Sequence, residues 1–170
     1  MKSALIAALA LTAIPVSAGA APSATAGTGT GPARTVTRAE ISAPGAQAVL
    51  DRARTLARQR GLHMCIAVVD ASGTLVAFER MDGAITGCGD SAIAKAASSA
   101  KFGVPTDTFF TRARDANLPI GFVPGIVPAA GGAPLKQGSV VIGAVGVSGG
   151  NVETERDLAA DTAAQDNAAQ

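Results

Sequence analysis

The run Val68-Val69-Asp70-Ala71-Ser72-Gly73-Thr74-Leu75-Val76-Ala77-Phe78 constrains this chain more than any other stretch. Apolar, largely β-branched segments flank Asp70 to Thr74, where Asp, Ser and Gly are turn formers and Gly73 accepts positive φ. A β-hairpin follows, from about His63 to Met81, with a charged exit at Glu79-Arg80-Met81-Asp82. If Asp70 faces Thr74, then Cys65 faces Glu79. Ile66, Val68, Val76 and Phe78 fall on one side; Cys65, Ala67, Val69, Leu75 and Ala77 fall on the other. Both faces are apolar, whereas an antiparallel ribbon with one wet face alternates. Something must cover each side, either helices or a second subunit.

Helical signals surround the hairpin. Ser42 can cap a helix from about Ala43 to Arg60, Pro44 suits its first turn and Gly61 stops it. Ala46, Val49, Leu50, Ala53, Leu56 and Ala57 form its buried stripe at helical spacing. Arg52, Arg54, Arg58 and Arg60 lie off that stripe, as an anion-capturing row or, more simply, a solvated face. After a loop with Gly83, Gly87 and Gly89, a second helix runs from about Asp90 to Phe102 with Ile93, Ala96, Ala97 and Ala100 inward. Thr106 can cap a third, reaching about Ala116. The Pro- and Gly-rich stretch from Leu118 to Lys136 offers short extended pieces at Phe122-Val123 and Ile126-Val127. Ser139 to Val147 reads as the last strand and Glu153 to Ala169 as a helix, acidic where its dipole favours acid. The order α-β-β-α-α-β-β-β-α predicts an α+β fold: a single layered domain, its antiparallel sheet covered by helices.

The folded part is expected over residues 41–170. Residues 1–20 read as a secretory signal peptide: Lys2, an apolar run too short to span a bilayer, and small residues at Val16-Ser17-Ala18 or Ala18-Gly19-Ala20 for cleavage. Residues 21–40, built from Ala, Gly, Thr, Ser and Pro, read as a disordered linker. A secreted or periplasmic location follows, with no membrane span in the mature form. Loss of Lys2 takes the formal net charge from +1 to 0, and Trp and Tyr are absent. A nucleic-acid partner is therefore not expected, because footprint and stacking platform are both missing. In an oxidising compartment Cys65 and Cys88 are either a disulfide or two buried thiols.

Val68-Val69-Asp70, Lys95-Ala96, Val104-Pro105-Thr106, Pro124-Gly125, Gly131-Gly132-Ala133-Pro134 and Gly143-Ala144-Val145-Gly146-Val147-Ser148-Gly149-Gly150 recur in order from about Ala43 onward. In this ordered set the chain resembles the GlcG/HbpS-like family of haem-binding and haem-degrading-type domains. The resemblance implies the same α+β fold, a homo-oligomer, a small-molecule tetrapyrrole partner with haem as cofactor, and assistance in haem breakdown. Some relatives carry an acid-x-x-acid pair on the second helix for surface iron. Here Asp90 matches the first acid but Ile93 replaces the second.

Candidate binding residues follow from residue type. His63, Met64, Met81 and the two thiols are the strong haem-ligand types present, and His63 and Met81 are the candidate metal ligands. Arg80 and Lys95 can pair with propionates, or else with Asp82, Glu79 or Asp90. Phe102, Phe109, Phe110 and Phe122 can flank a flat macrocycle or serve as core. The backbone N–H groups of Gly149, Gly150 and Asn151, at a helix N-terminus, can hold a carboxylate or phosphate. Gly146-Val147-Ser148-Gly149-Gly150 also satisfies G-x-S-x-G, but His63 is the only histidine and precedes the serine, against hydrolase order. Two other readings stand beside haem binding. One is a small enzyme for an anionic metabolite near Arg80, Asp82, Lys95 and the Ser148 turn; the other is a structural oligomer.

Overall fold

The computed structural model describes residues 35–169, so the expected signal peptide and most of the expected linker lie outside the described residues. Thr37–Gln170 form one compact unit; of the other, Met1–Val36, only residues 35 and 36 are described. The compact unit is an α+β domain built from α1 (Ala43–Gln59), β1 (Cys65–Asp70), β2 (Leu75–Arg80), α2 (Cys88–Phe102), α3 (Asp107–Asp115), a 3-10 turn (Ile120–Phe122), β3 (Gly132–Gln137), β4 (Val140–Ser148) and α4 (Val152–Ala168). The strands pair antiparallel in one four-stranded sheet, ordered β2-β1-β4-β3.

Helices of the same chain cover both faces of the central strands. Ile66, Val68, Val145 and Val147 pack against Val49, Leu50 and Ala53 of α1 and Leu158 and Ala159 of α4. On the other face Cys65, Ala67, Val69 and Ala144 meet Cys88, Ala92, Ala96 and Ala100 of α2. That second interface is built from small side chains. A Cβ added at Gly146 would lie 2.1 Å from the Ala92 carbonyl oxygen, so α2 rests directly on the strand backbone. Helix α1 starts as its sequence predicts: the Ser42 hydroxyl accepts the Gly45 N–H at 3.2 Å, and proline sits in its first turn.

Several sequence expectations are corrected. Strand β2 carries a bulge opposite Val68/Val69, so Cys65 pairs with Arg80 rather than Glu79, and Phe78 pairs with Ala67. One extra residue reverses every face beyond it, which places Ala77 toward α1 and Phe78 toward α2. The stripe of α2 is Cys88, Ala92, Ala96 and Ala100; Ile93 is only partly buried, and Ala97 stands off the stripe. The pieces at Phe122-Val123 and Ile126-Val127 are not strands. The third partner of the sheet is instead β3, an edge strand that tolerates Pro134. Thr106 precedes α3, but its hydroxyl accepts the Gly132 N–H at 2.9 Å and makes no cap hydrogen bond. Cys65 and Cys88 form a disulfide that ties the start of β1 to the first turn of α2.

Candidate functional site

At one end of the hairpin lies an open hollow of about 320 Å³, lined by Arg58, Gly61, Leu62, His63, Glu79, Arg80, Met81 and Asp82. The chain reaches it twice. Gly61, at φ 65°, ends α1 and sends the backbone toward β1 through Leu62 and His63. The Met81 N–H donates to the Met64 carbonyl at 3.0 Å, extending the hairpin ladder by one step, and the chain then turns at Gly83. Gly83 has φ 84°, and a Cβ there would come within 3.1 Å of His63 Nδ1. Both the turn and the approach of the imidazole require glycine.

His63 is held by this turn. Its Nδ1 lies 2.6 Å from the Asp82 carbonyl oxygen. A carbonyl oxygen only accepts, so Nδ1 is the donor, and in the neutral ring the lone pair then sits on Nε2. Among the described residues Nε2 has no hydrogen-bond partner. Arg80 is oriented by the same loop, its Nη2 donating to the Ala84 carbonyl at 2.6 Å. Met81 is buried and belongs to the core against α1, forming wall rather than rim. Glu79 is engaged by Arg54 at 2.7 Å, while Arg54 also meets Asp51 at 2.5 Å. The hydrogen bond to Glu79 and the charge of that carboxylate hold the Arg54 guanidinium above its ordinary pKa, against the effect of desolvation.

The other sequence-predicted binding residues lie elsewhere. Phe102 and Phe109 meet edge to face with centroids 5.4 Å apart, and Phe110 lies under the Arg114 guanidinium at 5.1 Å. Phe102 lines a separate depression with Arg38, Lys101 and Val140. Phe122, on the 3-10 turn, is 90 % exposed. None of these lines the His63 hollow.

Lys95, Gly149 and Gly150 are brought together, but around an internal acid. Lys95 is 3 % exposed and Glu155 8 %. Lys95 Nζ lies 2.5 Å from Glu155 Oε2, rather than near Asp82, Glu79 or Asp90. Glu155 Oε1 accepts the N–H groups of Gly149 at 2.8 Å and Gly150 at 3.2 Å. The Ser148 hydroxyl is 3.1 Å from Glu155 Oε1 and from Ser91 Oγ, and 3.4 Å from Lys95 Nζ. The N–H cradle expected to take a ligand anion is thus filled by a side chain of α4. Sequence reasoning missed Glu155. Its signal is an acid in the first turn of a helix that follows a Gly-Gly turn.

This geometry defines a small α+β domain with one hollow that gathers imidazole, thioether and guanidinium groups. The chain belongs to the HbpS-like family: the family model described as "Haem degrading protein HbpS-like" matches residues 41–164. Its fold is similar to ORFY of Klebsiella pneumoniae, at 27% identity over 81% of this chain and 97% of that one, with a TM-score of 0.72. A double mutant of Streptomyces reticuli HbpS is 27% identical, covers 86% of this chain and 97% of its own, and gives a TM-score of 0.71. A PduOC:heme complex is 25% identical over 74% of this chain and 94% of that one, at a TM-score of 0.66. No curated protein matches the chain. Among the described residues no helix is long and apolar enough to cross a membrane.

Proposed function

We propose that this chain is a secreted or periplasmic haem-binding protein that works as a homo-oligomer and holds the tetrapyrrole at the His63 hollow. The observation that carries the reading is the Nδ1–H of His63 donated to the Asp82 carbonyl, which fixes the ring and leaves Nε2 free to bind iron. The donor set suits haem better than a bare ion. Among the described residues no three His, Cys, Asp or Glu side chains gather around a metal position. A single protein nitrogen suffices when a macrocycle supplies the remaining donors. Leu62 and Met81 offer apolar wall, and the hollow is open, so it would receive one edge or face of the ring rather than enclose it.

Bound haem supplies the redox chemistry of its iron, including any part in haem breakdown. The chain itself supplies a positioned imidazole, the neighbouring guanidinium of Arg80 and access from solvent. Met81 is the second candidate ligand, placed in the same hollow. Apolar side chains left in water by one copy, among them Ile85, Leu75, Phe78 and Phe122, support assembly of several copies. A monomer in a solution mass measurement would count against that part. The metabolite-enzyme reading needs Lys95 and the Ser148 turn beside Arg80 and Asp82. Lys95 and Ser148 are instead closed around Glu155.

The test is a haemin titration followed by absorption spectroscopy. A saturable Soret shift lost in His63→Ala supports the site. A shift that survives moves the ligand to Met81 or to another subunit. No saturable shift in either redox state ends the haem reading.

A further inference from the structure

We propose that Arg58 is the carboxylate-recognition residue of this hollow, and that it selects tetrapyrroles bearing free acid side chains. The inference rests on the tetrapyrrole reading above and extends it to a residue to which that reading gives no role. Four arginines stand off the buried stripe of α1, and three are committed: Arg52 to Asp166 at 2.8 Å, Arg54 to Glu79 and Asp51, and Arg60 to Asp161. Arg58 lines the hollow, and its guanidinium makes no hydrogen bond or ion pair among the described residues.

The pairing around His63 points the same way. The lining is formally balanced, Arg58 and Arg80 against Glu79 and Asp82, but Glu79 is held by Arg54, which it shares with Asp51. Among the described residues, the side-chain charges left without a partner on the hollow are the Arg58 guanidinium and the Asp82 carboxylate, beside apolar Leu62 and Met81. Arg80 already spends one donor on the Ala84 carbonyl, whereas Arg58 keeps its whole planar fork. An apolar ring with a carboxylate arm matches that arrangement. A guanidinium fork binds a carboxylate in two parallel hydrogen bonds, the strongest neutralising contact available to a protein side chain.

The experiment compares haemin with haemin dimethyl ester, whose acid arms are blocked, on the full chain and on Arg58→Ala and Arg58→Lys. Arg58 is exposed and unpartnered, so both variants should fold, and circular dichroism checks this. The expected result is haemin bound about tenfold more tightly than its ester by the unaltered chain, the scale of one charge-assisted contact. That gap should close in Arg58→Ala through weaker haemin binding alone, and partly reopen in Arg58→Lys. Equal affinity of the unaltered chain for acid and ester overturns the inference and leaves the tetrapyrrole reading standing. A gap that persists in Arg58→Ala also overturns it. If neither compound binds, both fail.

Discussion

Glu155 is where the removal of one carboxylate would be felt most. It is buried against Lys95 and accepts from two backbone N–H groups, so Glu155→Ala leaves an ammonium and two backbone donors without their acceptor. Breaking one partner of such a pair costs about 3–5 kcal/mol. A urea midpoint should fall accordingly, while Lys95→Met combined with Glu155→Leu should regain the part of the loss that belongs to the unpaired ammonium, though not the part that belongs to the Gly149 and Gly150 N–H groups. If the double variant is as unstable as the single one, the ion pair is not what holds α2, β4 and α4 together. Asp70 acts on a smaller scale. Desolvation pushes its pKa up, but the Ser72 hydroxyl and the N–H groups of Thr74, Ser72 and Gly73 outweigh that, so it lies below the ordinary 3.8. A depressed carboxylate pKa contributes stability above the unfolded value, and that stability is lost as pH falls through the folded one. Asp70→Ala should cost about 1 kcal/mol at neutral pH. It should also flatten the acid limb of a melting-temperature profile below the ordinary carboxylate range.

At the scale of elements, the contact of α2 with β4 allows a direct contrast. Gly146→Ala would set a methyl 2.1 Å from the Ala92 carbonyl oxygen and 2.6 Å from the Ala96 nitrogen, so the helix must lift from the strand. Such overpacking costs about 1–3 kcal/mol. Gly87→Ala, with nothing within 4 Å, should leave the melting temperature nearly unchanged. If both variants melt alike, the close approach of helix and strand is not a constraint. Helix α1 could be read from the sequence because its cap, its proline and its apolar spacing all agree and are local. Strand β3 could not, because Gly131-Gly132-Ala133-Pro134 has the composition of a loop and becomes a strand only by pairing with β4. The sides of β2 were misread for a related reason, since turn residues do not announce a bulge. Of the site, His63, Arg80 and Met81 were found by residue type and do line one hollow. Arg58 was visible only as one of four similar arginines until the other three were seen to be paired. The Lys95–Glu155 pair spans 60 residues and had no local signature.

For the whole molecule, the disulfide between Cys65 and Cys88 closes a 23-residue loop that contains the hairpin and the Met81–Gly87 segment. Chain-entropy arguments give about 3 kcal/mol for a loop of that size. Reduction, or a Cys65→Ser/Cys88→Ser double variant, should therefore lower the melting temperature by several degrees. Its effect on haemin affinity is a separate readout, because Met81 and Asp82 lie inside the closed loop and Arg58 lies outside it. An unchanged melting temperature would mean that the packing of α2 alone sets the stability of this part.

The bulge in β2 makes the length of the hairpin a matter of odd and even. Because of it Glu79 reaches Arg54 on α1, while Arg80 turns back to the Ala84 carbonyl. Deleting Val76 would remove the extra residue and leave Ala77 opposite Val68 and Glu79 opposite Ile66, so both directions would be kept. Deleting two residues from the same strand would instead move its end by one register step, setting Arg80 toward Arg54 and Glu79 on the other side of the sheet. The bulge thus gives the hairpin one residue of slack: a single loss is absorbed, and a second inverts the charge that the hollow presents.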